Sequence, residues 1–138
     1  MPAETYDVRP IGRVRSPLTD PAQAPKQGDE GAPPAEIVLD PAVVAGTAGL
    51  RPGAEILVFT WLHQADREVL AVHPRGDRTR PVTGVFATRA PHRPNPIGLH
   101  RVTIADIAGP VLTVHGLEAI DGTPVLDLKP VLGPTAQR

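Results

Sequence analysis

The chain has 138 residues and a formal net charge of −1 at pH 7, which is enough length for one domain, 1–138, with a single core, and too little charge for a uniformly basic nucleic-acid binder. No cysteine is present, which excludes disulfides, thiolate metal sites and a thiol nucleophile, while two Phe, one Trp and one Tyr leave the core to Val, Leu, Ile and Ala. Eighteen prolines and thirteen glycines interrupt the chain too often for long helices and favour short strands joined by turns.

Tyr6 to Arg15 sets Val8, Ile11 and Val14 among polar neighbours and reads as an opening strand interrupted by Pro10. The N-terminal stretch has no signal-peptide apolar run and no window reaches the length of a membrane span, so a cytoplasmic protein without membrane attachment is expected. Ser16 to Ala35 holds five prolines (Pro17, Pro21, Pro25, Pro33, Pro34) and almost no large apolar side chain, the composition of a long loop. Glu36 to Asp40 is strand-like. Asp40 as N-cap and Pro41 at the first helical position predict a short helix over Pro41 to Leu50, kept short by Gly46 and Gly49. Glu55 to Leu62 and Arg67 to His73 read as neighbouring core strands. Val82 to Thr88, Leu99 to Ile107, Val111 to Leu117 and Val125 to Leu132 complete the series, with turns at Ala108-Gly109-Pro110 and Asp121-Gly122-Thr123-Pro124. Seven or eight short strands and at most one or two short helices predict a mainly β fold, a small antiparallel β-barrel with long loops, since closure removes exposed sheet edges.

Gly84 to Leu99, GVFATRAPHRPNPIGL, concentrates polar groups on a stiff track. Pro91, Pro94 and Pro96 fix their own φ and push Ala90, Arg93 and Asn95 toward extended backbone, so little freedom is lost on ordering. Arg89, His92, Arg93 and Asn95 on that track suit an anionic or carboxylate-bearing ligand, and a proline-rich connection kept soluble by its arginines is the plainer alternative. From His73 to Arg101 six arginines (Arg75, Arg78, Arg80, Arg89, Arg93, Arg101) face only Asp77, giving a positive local field unless acids elsewhere in the fold balance it. His63 and Gln64 follow a strongly apolar strand at a barrel mouth, where a capping or surface role is the plainer reading. The Asp121 turn offers a carboxylate, a hydroxyl and bare backbone, and is also an ordinary tight turn. Asp127 and Lys129 share a strand face and read as an ion pair. Neither a dinucleotide fingerprint nor a phosphate-binding glycine loop occurs, and the five histidines, at 63, 73, 92, 100 and 115, have no metal-ligand spacing, so no metal is expected.

IGRVRSP (Ile11 to Pro17), PKQ (Pro25 to Gln27), HQ (His63, Gln64), GVFATRAPHRPNPIGL and DGTPVLDLKP (Asp121 to Pro130), in that order, resemble the TrmO/TsaA-like family over nearly the whole chain. The resemblance implies a β-barrel homodimer that uses S-adenosyl-L-methionine outside the Rossmann methyltransferases and methylates N6 of threonylcarbamoyl-modified adenosine 37 in tRNA. Carried over position by position, it places cofactor contacts on Pro25, Lys26, Gln27, His63, Gln64, Arg89, Pro96, Ile97, Gly98, Leu99, Asp121, Gly122, Thr123 and Pro124, to which the polar track itself adds Arg93 and Asn95. Arg89 or Arg93 would hold a carboxylate, with Gln64 and backbone near Leu99 or Asp121 reading an adenine. Lys26 stands where arginine is common, Val131 where many members have tyrosine, and the chain ends without the C-terminal extension that bacterial tRNA-modifying members often carry.

Methyl transfer to nitrogen is an in-line displacement governed by alignment, and a weakly nucleophilic exocyclic amine gains from a proton acceptor nearby. Asp121 is the leading candidate for that catalytic role and His92 the second. Three functions remain open at this level: a tRNA adenosine methyltransferase, a small-molecule methyltransferase on the same barrel, and a non-catalytic S-adenosylmethionine-binding module.

Overall fold

The computed structural model describes residues 4–19 and 33–133. Six strands close a barrel in the order β1-β2-β7-β6-β3-β8, every pair antiparallel. They are β1 (Gly12–Arg15), β2 (Ala35–Leu39), β3 (Glu55–Trp61), β6 (Ile97–Ala108), β7 (Val111–His115) and β8 (Pro124–Pro130). The short β4 (Ala71–Val72) and β5 (Thr83–Gly84) form a separate two-stranded ribbon within the β3 to β6 connection.

The period-two alternation of each strand decides what fills the barrel. Ile37 and Leu39 on β2, Ile56 and Val58 on β3, Val102 and Ile104 on β6, and Leu112 and Val114 on β7 are all buried. Burying each such side chain contributes about 1.5–3 kcal/mol over leaving it exposed, so an aliphatic core compensates for the scarcity of aromatics. Register shifts at Ile104/Asp106 between β6 and β7 and at Phe59/Thr60 between β3 and β8 mark irregularities of the kind that bends strands enough to close a small barrel.

The mainly β barrel matches the sequence expectation, with local corrections: the opening strand expected over Tyr6 to Arg15 is confined to Gly12–Arg15, β7 ends at His115 rather than Leu117, and β8 spans Pro124–Pro130 rather than Val125 to Leu132. Asp40 does cap the segment after β2, its Oδ1 accepting the Ala42 N–H at 2.9 Å, but the segment is a 3-10 helix over Pro41–Thr47 that buries no side chain and stops before Leu50. Arg67 to His73 is not a core strand. The Asp66 carboxylate accepts the Glu68 N–H at 2.8 Å and forms a turn there, so that only Ala71–Val72 pair, and they pair with β5 rather than with β3. Val82 to Thr88 keeps two strand residues and then coils into a 3-10 turn, Val85–Ala87, which buries Val85 and leaves Phe86 exposed. β6 starts at Ile97, two positions before the expected Leu99. No helix among the described residues is long and apolar enough to cross a membrane.

Candidate functional site

Because consecutive barrel strands run up and down, the connections 16–34, 62–96 and 116–123 all lie at one end of the barrel. Every site residue expected from the sequence belongs to these connections or to the strand residues that enter them. Pro25, Lys26 and Gln27 lie outside the described residues.

The Asp121 turn prolongs the β1–β8 pairing. Asp121 donates its N–H to Leu18 O at 2.6 Å, Gly122 to Val14 O at 2.8 Å, and Val14 to Thr123 O at 2.9 Å. Asp121 Oδ1 accepts the Ser16 N–H at 3.0 Å, which clasps the base of the 16–34 connection. Gly122 has φ 83°, a left-handed conformation that costs a residue with a Cβ about 1–2 kcal/mol. Thr123 is buried with its hydroxyl donated to Ile120 O at 2.7 Å, and Pro124 is buried beside it. Of this turn, then, the Asp121 carboxylate is the polar side chain that faces solvent.

Beside β1 and β2, a groove of about 350 Å³ runs between Arg15, Ser16 and Pro17 on one side and Pro34, Ala35 and Glu36 on the other. Arg15 and Glu36 pair across it at 2.6 Å, so its walls are close to neutral.

In the 62–96 connection the stiff track is held from outside the motif. Arg67 donates Nε to Pro94 O at 2.7 Å and Nη2 to Asn95 Oδ1 at 3.1 Å, while its guanidinium lies 5.2 Å from the centre of the Trp61 ring. Asp66 donates its N–H to His92 Nδ1 at 2.8 Å. A neutral His92 accepting there carries its proton on Nε2, so the ring presents a donor outward. Arg93 spends Nη1 on Thr88 O at 2.9 Å and Ala90 O at 3.1 Å. Arg89, His63 and Gln64 are exposed and make no side-chain hydrogen bond among the described residues. Pro96 is buried and accepts the Leu62 N–H at 2.8 Å; Ile97 and Leu99 face outward and Gly98 inward.

The positive field of the sequence is thinner in the fold. Arg101 forms a two-point pair with Glu55 at 2.9 and 3.1 Å, and Arg80 lies 3.7 Å from Asp77. Asp127 and Lys129 do pair, at 3.4 Å. Arg89 is thus the cation of the 84–99 track with its charge available.

Sequence reasoning passed over Arg67 and a polar row of buried Thr60 and His100 with partly buried Glu118. Thr60 Oγ1 and His100 Nε2 are 2.9 Å apart, and His100 Nδ1 is 3.5 Å from Glu118 Oε1. The alternation of LHRVTI held the signal for one of them: His100 shares its face with Val102 and Ile104, both buried.

Among the described residues no group of His, Asp or Glu is arranged to hold a metal. A closed antiparallel barrel whose site-bearing loops gather at one end defines a class of small β-barrels distinct from doubly wound nucleotide folds. The chain belongs to the tRNA-methyltransferase O N-terminal domain family, whose profile matches residues 13–135. It is 46% identical over 123 residues to a protein of Methanothermobacter thermautotrophicus named "Probable S-adenosyl-L-methionine-binding protein", covering 89% of this chain and 88% of that one. An Archaeoglobus fulgidus protein named "S-adenosyl-L-methionine-binding protein" is 38% identical over 122 residues, covering 88% and 86%. Among solved structures, a crystal structure of TrmO superposes with TM-score 0.76 at 32% identity, and TrmO from Pseudomonas aeruginosa with TM-score 0.74 at 31% identity. The first covers 99% of this chain and the second 97%, whereas this chain spans 62% and 61% of theirs.

Proposed function

We propose that this protein is an S-adenosyl-L-methionine-dependent methyltransferase acting on N6 of threonylcarbamoyl-modified adenosine 37 in tRNA, as a cytoplasmic barrel that works as a homodimer. The observation that carries this reading is the convergence of the three site-bearing connections on one end of the barrel, in a chain of the tRNA-methyltransferase O N-terminal domain family.

The donor set fits a zwitterionic, purine-bearing cofactor. Arg89 offers an uncommitted guanidinium for a carboxylate. Gln64 offers an exposed amide that both donates and accepts, which suits an adenine edge. Asp121 retains one carboxylate oxygen after Oδ1 is used by Ser16. Bound S-adenosylmethionine would supply an electrophilic methyl group on a sulfonium.

The chain's own part is alignment and proton handling. Arg67 and Arg93 brace the 84–99 track so that Arg89 is presented from a fixed backbone. Asp121 Oδ2 accepts the proton that the amine loses, and His92, with Nε2–H outward, donates to substrate instead of taking that proton. Arg78 and Arg89, both exposed, lend the tRNA backbone a salt-dependent hold. The outward Leu70, Val82 and Phe86 around the β4–β5 ribbon offer an apolar face for the second copy.

Incubation with methyl-labelled S-adenosylmethionine and bulk tRNA, followed by nucleoside analysis, tests the reading. Label in N6-methylated threonylcarbamoyladenosine is the expected result. Label in a small molecule alone identifies the small-molecule enzyme, and cofactor binding without transfer to any acceptor identifies a binding module.

A further inference from the structure

Inside the barrel a hydroxyl, an imidazole and a carboxylate stand in a row. Thr60 on β3 is 0% exposed and His100 on β6 is 7% exposed. Thr60 Oγ1 lies 2.9 Å from His100 Nε2, and His100 Nδ1 lies 3.5 Å from Glu118 Oε1 in the 116–123 connection. The inward neighbours Val58, Val102 and Ile104 are aliphatic, so the row is a polar layer set in an apolar barrel, directly beneath the end that carries the candidate site.

Acid, imidazole and hydroxyl in this order have the connectivity of a nucleophilic relay. A hydroxyl with no exposure meets no substrate, so the row acts on the chain itself. Its construction has required space. A Cβ at Gly98 would collide with Thr60 Oγ1 and sit 2.8 Å from His100 Nε2; the missing side chain at Gly98 makes room for the contact. Among the described residues, His100 Nδ1 and Glu118 Oε2 are buried with no hydrogen-bond partner. Such orphaned groups are costly in an apolar interior, which makes a purely space-filling role for them a poor account.

We propose that His100 is a positioning residue: anchored behind by Thr60, it holds Glu118 and thereby fixes the 116–123 connection, with the Asp121–Pro124 turn, against the first residues of β6. Pro96–Leu99 opens β6, whereas Asp121–Pro124 leads into β8, two places away in the barrel order, and this row is a side-chain link between β6 and the 116–123 connection that joins β7 to β8. A carboxylate oxygen 3.5 Å away attracts an N–H at Nδ1 electrostatically, without a formed hydrogen bond, so in this arrangement Nδ1 carries the ring proton and Nε2 accepts the Thr60 hydroxyl. The consequence for ligand binding rests on the methyl-donor reading; the mechanical link does not.

The test uses the full chain. Nitrogen NMR of the His100 ring in the unmodified protein is expected to show the neutral tautomer protonated at Nδ1. Glu118→Leu is expected to speed amide exchange over residues 119–123 and weaken S-adenosylmethionine binding, each by about tenfold, the scale of one lost interaction. Glu118→Gln, whose carbonyl still attracts the Nδ1 proton, is expected to restore most of both. A ring protonated at Nε2 overturns the arrangement, and it is read without any substitution, so it stands even where Glu118→Leu does not fold. Unchanged exchange in Glu118→Leu overturns the link. Changed exchange with unchanged affinity overturns its role in the site. If the unmodified chain binds no S-adenosylmethionine, the methyl-donor reading fails, and ring tautomer and exchange alone decide the positioning role.

Discussion

Asp121 accepts the Ser16 N–H on Oδ1 at 3.0 Å, so the leading proton acceptor of the candidate site is also the clasp at the base of the 16–34 connection. The two roles separate by substitution. Asp121→Ala removes the clasp and is expected to cost about 1 kcal/mol in urea unfolding, the worth of one exposed hydrogen bond. Asp121→Asn keeps an acceptor at Oδ1 and is expected to leave stability within about 0.5 kcal/mol while slowing methyl transfer by roughly 100-fold, the lower range for losing a general base. Full turnover in the asparagine variant would remove Asp121 from the chemistry and leave it the clasp alone.

Arg67 is the strut of the 62–96 connection, bonded to Pro94 and Asn95 and lying over Trp61. Arg67→Ala is expected to destabilise by about 1–2 kcal/mol, two exposed charge-assisted bonds plus a cation–π contact. Arg67→Lys should recover only part of this, because an ammonium lacks the planar fork that reaches both acceptors. Hydrogen exchange localises the effect: faster exchange confined to 62–66 and 92–97 is expected, and a uniform change across the barrel would show that Arg67 is not a local brace.

Acid should loosen the rim of the barrel in a definite direction. The hydrogen bond from Arg101, and then its positive charge, hold the Glu55 carboxyl below the usual carboxylate range; Arg15 does the same for Glu36, and the Thr79 hydroxyl and amide for Asp77. A carboxyl with a lower value in the folded state binds fewer protons there than in the unfolded chain. Its stabilisation is therefore complete above the ordinary value and is lost as pH falls through the folded one. Carboxyl-carbon NMR should show Glu55 titrating lower than a free glutamate, and Arg101→Met should return it to the ordinary range. These pairs are exposed, so high salt should shrink the effect. A Glu55 midpoint indifferent to Arg101→Met means that the pair does not persist in solution.

What the sequence disclosed follows from how local each signal is. The apolar, β-branched and aromatic run EILVF marks β3, and alternation in VTI marks β6, because both signals are written in consecutive residues. The loops were legible too, since prolines 91, 94 and 96 restrict the backbone whatever surrounds them. Arg67 to His73 misled because its apolar letters are those of a strand, while the Asp66 side chain and the pull of Arg67 toward Trp61 make a turn of its first half. Alternation sets His100 on the inward face of β6, but no spacing ties it to Thr60 or Glu118. They meet only because barrel closure sets β3 beside β6 and brings the 116–123 connection over both. Arg89 and Arg93 looked interchangeable for a related reason: the letters are alike, and only the fold shows which guanidinium is already occupied.

That difference makes the sharpest contrast available in the site. Arg93 is half-buried and bonded to the Thr88 and Ala90 carbonyls, so Arg93→Ala leaves acceptors without their donor and is expected to cost about 1–2 kcal/mol of stability. Arg89 is exposed with no side-chain hydrogen bond among the described residues, so Arg89→Ala should change stability by less than about 0.5 kcal/mol. The order reverses for ligand binding. Removing the uncommitted cation should weaken S-adenosylmethionine binding by tenfold or more, roughly the loss of one charge-assisted contact, whereas Arg93→Ala should weaken it only as far as the track loosens. Thermal unfolding and calorimetric titration on the same two variants read both quantities. If Arg93→Ala loses affinity at unchanged stability, the carboxylate contact belongs to Arg93, and the intraloop bonds seen here give way when ligand arrives.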